Sequence, residues 1–148
     1  MKITICGSIA FIDEMLTAQK ELEAMGHEVK TPPAEIAGED GALIPGKEFY
    51  AIRKAATSTE GWIWERKEQA MRKHFDKVMW ADAIWVLNHD KNNVSSYIGA
   101  NTLLEMGLAF HHKKKIFLLQ PIPDMRYREA ILGMRPIEVK EDLVRIPY

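Results

Sequence analysis

Two segments of this sequence carry residue types that could do chemistry. The first is Gly7-Ser8, which follows a short β-branched run at the N-terminus. Glycine permits a tight turn and a close approach of the backbone to a ligand. A serine hydroxyl and free N–H groups at the start of a helix suit a phosphate or sugar oxygen. The alternative is an ordinary strand-to-helix turn, since the sequence has neither a GxGxxG fingerprint nor a P-loop.

The second segment spans residues 97–107 and contains Glu105 among the apolar side chains of Leu103, Leu104 and Met106. We predict that Asn101 caps the helix that carries this carboxylate. A carboxylate in a partly apolar site near a helix N-terminus can be tuned to act as a nucleophile or an acid. The alternative is that Glu105 only complements the helix dipole, and the pattern leaves both interpretations open.

The elements that position these residues follow from hydrophobic periodicity and turn residues. Strands are predicted at residues 2–6, 27–31, 83–87, 115–119 and 137–139. Helices are predicted at residues 12–25, 60–80, 101–111 and 127–132, with Leu104 facing inward. Residues 34–58 are rich in Gly and Pro, and we predict a long loop there with a short helix near 48–56. Five strands alternating with helices indicate a doubly wound α/β fold with a mostly parallel sheet.

The expected strand order of such a sheet is 2-1-3-4-5, counted along its five strands, with a switch point between strands 1 and 3. Ligands bind outside the carboxyl ends of the strands at that point. Those ends are Gly7-Ser8-Ile9 and Asn88-His89-Asp90. The order of the strands therefore predicts a binding crevice where Cys6-Gly7-Ser8 meets residues 88–105.

Composition narrows the class of protein. The chain has 148 residues, which predicts a single domain over 1–148, and its formal net charge of −1 favours neither a nucleic acid polymer nor a membrane as partner. Cys6 is the only cysteine, so no internal disulfide is possible. Because we recognise no signal peptide, we expect a cytoplasmic protein. His111-His112 ends a helix, where basic groups complement the dipole, so we expect no metal site and no cofactor.

Four stretches resemble the nucleoside 2-deoxyribosyltransferase-like family, which includes 2'-deoxynucleoside 5'-phosphate N-hydrolases. They are CGSI at 6–9, ADAIWVLN at 81–88, GANTLLEMGLA at 99–109 and KKKIFLL at 113–119. The resemblance implies a flavodoxin-like Rossmann sheet and a homo-oligomer. It also implies that a small-molecule nucleoside or nucleotide loses its base, by hydrolysis or base exchange, through a glutamate nucleophile at Glu105 and a glycosyl-enzyme intermediate.

The resemblance also implies binding residues. Gly7, Ser8 and Ile9 match positions near the sugar and a 5'-phosphate, and an aromatic such as Phe11 or Tyr97 is expected to stack on the base. Asn88 belongs to the same predicted crevice.

The sequence departs from the family pattern at two points. Gly99 stands where members carry an Asp or Ser six residues before the nucleophile, and the nearest polar residue is Asn101. Members place an Asp on the helix before the third strand, where this chain offers Asp76 or His74 in imperfect register. Asp90, directly after that strand, is the better-placed second catalytic candidate. The departure at Gly99 keeps open the alternative of a nucleotide-binding or sensing module without chemistry. An NAD-type glycohydrolase is a further alternative, because related sheets cleave that bond too.

Overall fold

A computed structural model describes residues 1–140 and Ile146 of the chain. The strands are β1 (Lys2–Cys6), β2 (Glu28–Lys30), β3 (Glu35–Ala37), β4 (Leu43–Pro45), β5 (Ala83–Val86), β6 (Lys115–Leu118) and β7 (Ile137–Glu138). The helices are α1 (Ile12–Ala24), α2 (Gly46–Ala55), α3 (Gly61–Trp80), α4 (Ala100–His111) and α5 (Arg128–Met134), with a 3-10 turn at Ile9–Phe11. Among the described residues, no helix combines the length and apolar character needed to cross a membrane.

The main sheet has five strands in the spatial order β2-β1-β5-β6-β7. Each neighbouring pair is parallel; Ile3 of β1, for example, is paired with Val29 on one side and Ala83 on the other. Counted along this sheet alone, the order is 2-1-3-4-5, so the predicted doubly wound α/β fold is confirmed. The switch point therefore lies between β1 and β5.

The alternation of side chains along β1 supplies both faces of the sheet. Ile3 and Ile5 are fully buried in the core cluster beneath α1, where Met15 packs. Cys6 belongs to the cluster on the opposite face, together with Met106 of α4. Since successive strand residues point to opposite faces, the last residue of β1 is directed toward the layer of α3 and α4.

The region predicted as a long loop is more ordered than its composition indicated. Residues 34–58 contain an antiparallel hairpin of β3 and β4, followed by α2. The predicted helix near 48–56 corresponds to α2, whereas the loop prediction was wrong for the hairpin. Each hairpin strand has three residues, which is too short for an alternating pattern to register.

Two expectations for α4 were also wrong. Gly99 rather than Asn101 is the N-cap residue, and no side chain caps the helix there. Leu104 was expected to face inward but is 51% exposed, while the adjacent Glu105 is 8% exposed. The buried face of α4 runs through Thr102, Glu105, Met106 and Ala109, because these positions meet α3 and the sheet.

Candidate active site

A cleft of about 360 Å³ opens at the carboxyl end of β1 and beside the N-terminus of α4. Its walls come from the turn after β1, the β3–β4 hairpin, α2, α3 and the loop before α4. Several predicted site residues line it together: Gly7, Ser8, Ile9, Tyr97, Gly99, Asn101 and Glu105. The cleft therefore lies where the strand order predicted a ligand crevice.

Gly7 lets the backbone pass through this crowded corner. Its φ is +154°, and an added Cβ would lie 2.8 Å from Cε of Met15 and 3.0 Å from the carbonyl oxygen of Leu87. A larger residue would strain the turn, because L side chains rarely adopt this conformation. The next residue, Ser8, caps the 3-10 turn by accepting a hydrogen bond from the N–H of Ala10.

The side chain of Asn88 holds two loops together and does not line the cleft. Its Oδ1 accepts a 2.8 Å hydrogen bond from the backbone N–H of Gln120, and its Nδ2 donates to the carbonyls of Gln120 and Pro121 at 3.2 Å. This amide is fully buried. Asn88 therefore stabilises the loops at the carboxyl edge of the sheet.

Phe11 and Asp90 also lie outside the lining of the cleft. Phe11 is buried beneath α1, with its ring edge-on to His89 at 5.0 Å between centroids. Asp90 is exposed, and its Oδ1 accepts a 2.8 Å hydrogen bond from the N–H of Ser96. The structure therefore does not bring Asp90 together with Glu105. The carboxylate of Asp90 instead stabilises the loop before α4.

Glu105 lies at the floor of the cleft in a cluster with His74 of α3 and Cys6 of β1. Its Oε2 is 3.7 Å from Nε2 of His74, and the same nitrogen is 3.6 Å from Sγ of Cys6. Burial raises the pKa of Glu105 to about 8, against the opposing effects of a hydrogen bond with Cys6 and the charge of Lys67. At neutral pH this carboxyl is therefore mostly protonated.

His74 and Cys6, which lie beside Glu105 in this cluster, are uncharged at neutral pH as well. Burial, assisted by the nearby charge of Lys77, lowers the pKa of His74 to about 4. Burial and the adjacent Glu105 raise the pKa of the Cys6 thiol well above its ordinary value. The contact between His74 and Glu105 is consequently a contact between neutral groups at neutral pH, not an ion pair.

The lining of the cleft is basic. Its cationic side chains come from α2, α3 and the loop after β5, namely Arg53, Lys54, Lys67 and Lys91. Among the described lining residues, Glu105 is the only carboxylate. This balance of charge suits an anionic ligand.

Lys91 has the most defined position of these cations. Its Nζ donates hydrogen bonds to Oγ of Ser8 at 2.7 Å and to the hydroxyl of Tyr50 at 3.2 Å. It also lies over the rings of Tyr50 and Tyr97, at 4.8 and 5.2 Å from their centroids. The ammonium group and the Ser8 hydroxyl together form a small polar site at the mouth of the cleft.

Several of these residues were missed at the level of sequence. Tyr50 and Arg53 lie in the short helix predicted near 48–56, but no pattern in that segment directed them to the cleft. A signal existed on α3, where Lys67, Met71 and His74 follow at i, i+4 and i+7 on one helical face. A polar residue at each end of an otherwise packed face is a pattern that could have identified Lys67 and His74.

Comparisons with known proteins bear on the fold. No family model and no curated protein matches the sequence. Among solved structures, the chain is similar to a 2-deoxyribosyltransferase from the psychrotolerant bacterium Bacillus psychrosaccharolyticus, described as a biocatalyst for the synthesis of antiviral and antitumoral nucleosides. The TM-score is 0.51 at 16% identity, over 80% of this chain and 71% of that one. The chain therefore has a nucleoside 2-deoxyribosyltransferase-like fold, as its sequence motifs implied.

Proposed function

We propose that this protein cleaves the N-glycosidic bond of a nucleoside or its 5'-monophosphate, with Glu105 as the nucleophile. One observation carries the proposal: Glu105 is the only carboxylate among the described residues that line the switch-point cleft. The similarity of the fold to a 2-deoxyribosyltransferase supports the same reaction class.

The chemistry follows from the charge that develops as the base leaves. The sugar carbon gains oxocarbenium character, and a carboxylate on the opposite face can form a covalent bond to it. Water or a second base then attacks the glycosyl-enzyme and returns the carboxylate, which gives hydrolysis or base exchange. The proposal assigns no general acid, since Asp90 is hydrogen-bonded to the N–H of Ser96 outside the cleft.

The nucleophile must be ionised, and the environment of Glu105 opposes this because burial raises its pKa to about 8. The charge of Lys67 acts in the other direction and favours the carboxylate. A desolvated carboxylate, once formed, is a stronger nucleophile than a hydrated one, because no water shell has to be removed.

The basic part of the cleft favours a 5'-monophosphate over an uncharged nucleoside. Lys91 and the hydroxyl of Ser8 are 2.7 Å apart, and together they offer a phosphate one charged donor and one neutral donor. The ring of Tyr97 lies against Gly99, where an added Cβ would be 3.3 Å from the tyrosine hydroxyl. Under the proposal, this hydroxyl takes the place of the polar side chain that the resemblance implied at position 99.

The test is release of free base, followed by chromatography, from a panel of ribo- and deoxynucleosides and their 5'-monophosphates. Glu105→Gln should reduce release about 1,000-fold or more while the nucleotide still binds. The matched control is Glu129→Gln, which changes an exposed glutamate of α5. A second base added to the reaction separates the two outcomes, because only a transferase makes a new nucleoside. Tight binding without release from any substrate would contradict the proposal.

A second function, nucleotide binding without turnover, is favoured by the same raised pKa of Glu105. A protonated carboxyl donates a hydrogen bond and does not attack a sugar carbon. This alternative predicts that a nucleotide raises the melting temperature without being consumed, and that Glu105→Gln leaves binding unchanged. NAD belongs in the same panel, because release of nicotinamide would identify a glycohydrolase.

A further inference from the structure

Three side chains of different ligand chemistry meet at the floor of the cleft: a thiol, an imidazole and a carboxyl. Cys6 comes from the end of β1, His74 from α3 and Glu105 from α4. Their ligand atoms all lie within 4.8 Å of one another. The three residues are buried, at 0%, 4% and 8% exposure respectively.

We propose that Cys6, His74 and Glu105 together bind a thiophilic divalent cation of the Zn²⁺ type, and that the bound ion blocks Glu105. Binding of the ion needs no substrate and goes beyond the proposed function. Only the expected inhibition by the bound ion rests on the proposed function, in which Glu105 is the nucleophile.

The separations agree with the geometry of such a site. Zinc is bound at about 2.3 Å by sulfur and at about 2.0–2.2 Å by nitrogen and oxygen, in a tetrahedral arrangement. Those bond lengths place neighbouring ligand atoms roughly 3.3–3.6 Å apart. The observed separations are 3.6 Å from Sγ of Cys6 to Nε2 of His74 and 3.7 Å from that nitrogen to Oε2 of Glu105. The third pair, the sulfur of Cys6 and the carboxyl oxygen of Glu105, lies within 4.8 Å, so modest side-chain movements bring the three atoms around one ion.

A second, independent observation is that a polar atom at this place lacks a partner. Oε2 of Glu105 is buried, and it has no hydrogen-bond partner among the described residues. Buried polar atoms without partners are uncommon in proteins and call for an explanation, such as a bound ion or water. Coordination by the ion would satisfy Glu105 directly and would hold the imidazole with Nε2 toward the cluster.

Charge and ligand type select the kind of cation. The ion would displace the protons of the Cys6 thiol and the Glu105 carboxyl into solvent. The resulting thiolate and carboxylate carry two negative charges, which balance a divalent ion and leave the buried cluster without net charge. Mg²⁺ and Ca²⁺ prefer oxygen ligands, whereas a mixed sulfur, nitrogen and oxygen set suits zinc and its congeners. Three protein ligands leave a fourth position open, and His74 and Glu105 both line the cleft, so that position faces its interior.

The direct test is a titration of the metal-free protein with Co²⁺. Because Cys6 is the only cysteine of the chain, an absorption band from thiolate-to-cobalt charge transfer reports this site alone. We expect the band to saturate at one equivalent of Co²⁺ and to disappear when Zn²⁺ displaces the cobalt. Absence of the band in the folded wild-type protein would overturn the proposal, whatever the variants show.

Variants test the other two ligands. His74→Gln and Glu105→Gln should each weaken Zn²⁺ binding by about 10- to 100-fold or more, by calorimetry and by displacement of Co²⁺. The matched control is His111→Gln, an exposed histidine at the end of α4, which should leave the affinity unchanged. Unchanged affinity in His74→Gln, with the fold verified by circular dichroism, would overturn the assignment of the site.

Inhibition is measured separately. With an active substrate, one equivalent of Zn²⁺ should suppress base release, and a chelator should restore it. Full activity in the presence of a saturating cobalt band would overturn the inhibitory part. If no substrate releases its base, the proposed function fails, while the spectroscopic titration still decides whether the cation binds.

Discussion

Nε2 of His74 lies 3.7 Å from Oε2 of Glu105, at a buried contact between α3 and α4. Such a pair on a protein surface would be an ion pair at mildly acidic pH. Here burial moves the two pKa values in opposite directions, to about 4 for His74 and about 8 for Glu105. Between those values both groups are neutral. Raising the pH from neutral toward 8 therefore ionises the carboxyl group of Glu105 and leaves His74 unchanged.

The first prediction concerns the pH dependence of base release. The value of kcat/KM should rise with pH and level off above about pH 8, since the carboxylate form of Glu105 is the reactive one. Lys67→Met removes a charge that lowers this pKa and should move the rise to higher pH. The shift should be small near pH 8, because burial lowers the pKa of Lys67 itself to about 8 and its charge is partly lost there. Initial rates from pH 5.5 to about 9.5 provide the measurement. Lys20→Met, an exposed change on α1, is the control, and a rise unaffected by Lys67→Met would contradict the electrostatic argument.

The second prediction concerns stability. The pKa of Glu105 is about 8 in the folded protein against an ordinary 4.5, so between these values the folded state binds the proton more tightly than the unfolded chain. The free energy of unfolding therefore falls as pH rises through that window. His74 has the opposite effect between about pH 4 and 6.5, because burial lowers its pKa in the folded state, and the two contributions offset each other there.

Between pH 6.5 and 8, Glu105 is the only one of these two residues whose titration changes the free energy of unfolding. We expect the wild-type protein to lose ~1–2 kcal/mol of unfolding free energy across that interval. Glu105→Gln should lack this loss, whereas Glu129→Gln should retain it. Urea denaturation at the two pH values measures the difference. Parallel pH profiles for the wild-type protein and Glu105→Gln would show that the carboxyl is ionised throughout.

The third prediction concerns the choice of substrate. Lys91→Met removes the ammonium group that is 2.7 Å from Oγ of Ser8. The KM of a 5'-monophosphate should rise about 10-fold, equivalent to about 1.4 kcal/mol, and that of the corresponding nucleoside about 2-fold or less. Lys115→Met, at the exposed start of β6, is the matched control. Equal effects on both substrates would mean that Lys91 does not contact the phosphate.

The fourth prediction concerns Asn88, whose amide joins the end of β5 to the backbone at Gln120 and Pro121. Asn88→Ala removes the hydrogen bonds of a fully buried amide to these part-buried backbone groups and should cost about 2–3 kcal/mol of unfolding free energy. Gln69→Ala, which removes an exposed amide on α3, should change stability by less than about 0.5 kcal/mol. Equal stability of Asn88→Ala and wild type by urea denaturation would indicate that water replaces the amide.

Most of the fold could be read from the chain because its strands are short, apolar and bounded by turn residues. Strands that are covered on both faces appear as continuous apolar runs, as in β1 and β5. The strand order then placed the carboxyl ends of these strands side by side. The hairpin of β3 and β4 was missed, since it is held by pairing between strands of three residues and not by a pattern within either one.

The candidate site divides in the same way. Short segments of the sequence indicated Gly7, Ser8 and Glu105, because their residue types and their positions at a turn and on a helix are visible locally, and the expected order of the five strands brought the two segments together. The orientation of α4 was not encoded there. Leu104 and Glu105 are adjacent positions on a helix, and packing against α3 and the sheet decided that the carboxyl would be buried and the leucine exposed.

Contacts between distant parts of the chain carry the chemistry that the local pattern left undetermined. Cys6, His74 and Glu105 lie on three different elements, and no spacing in the sequence indicates that they meet. Their protonation states follow from burial, which is a property of the assembled layers and not of any segment. The sequence by itself therefore determined the residue types and the edge of the sheet where they lie. The raised pKa of Glu105 and its contacts with Cys6 and His74 were decided by the tertiary structure, because they depend on the packing of the helices against the sheet.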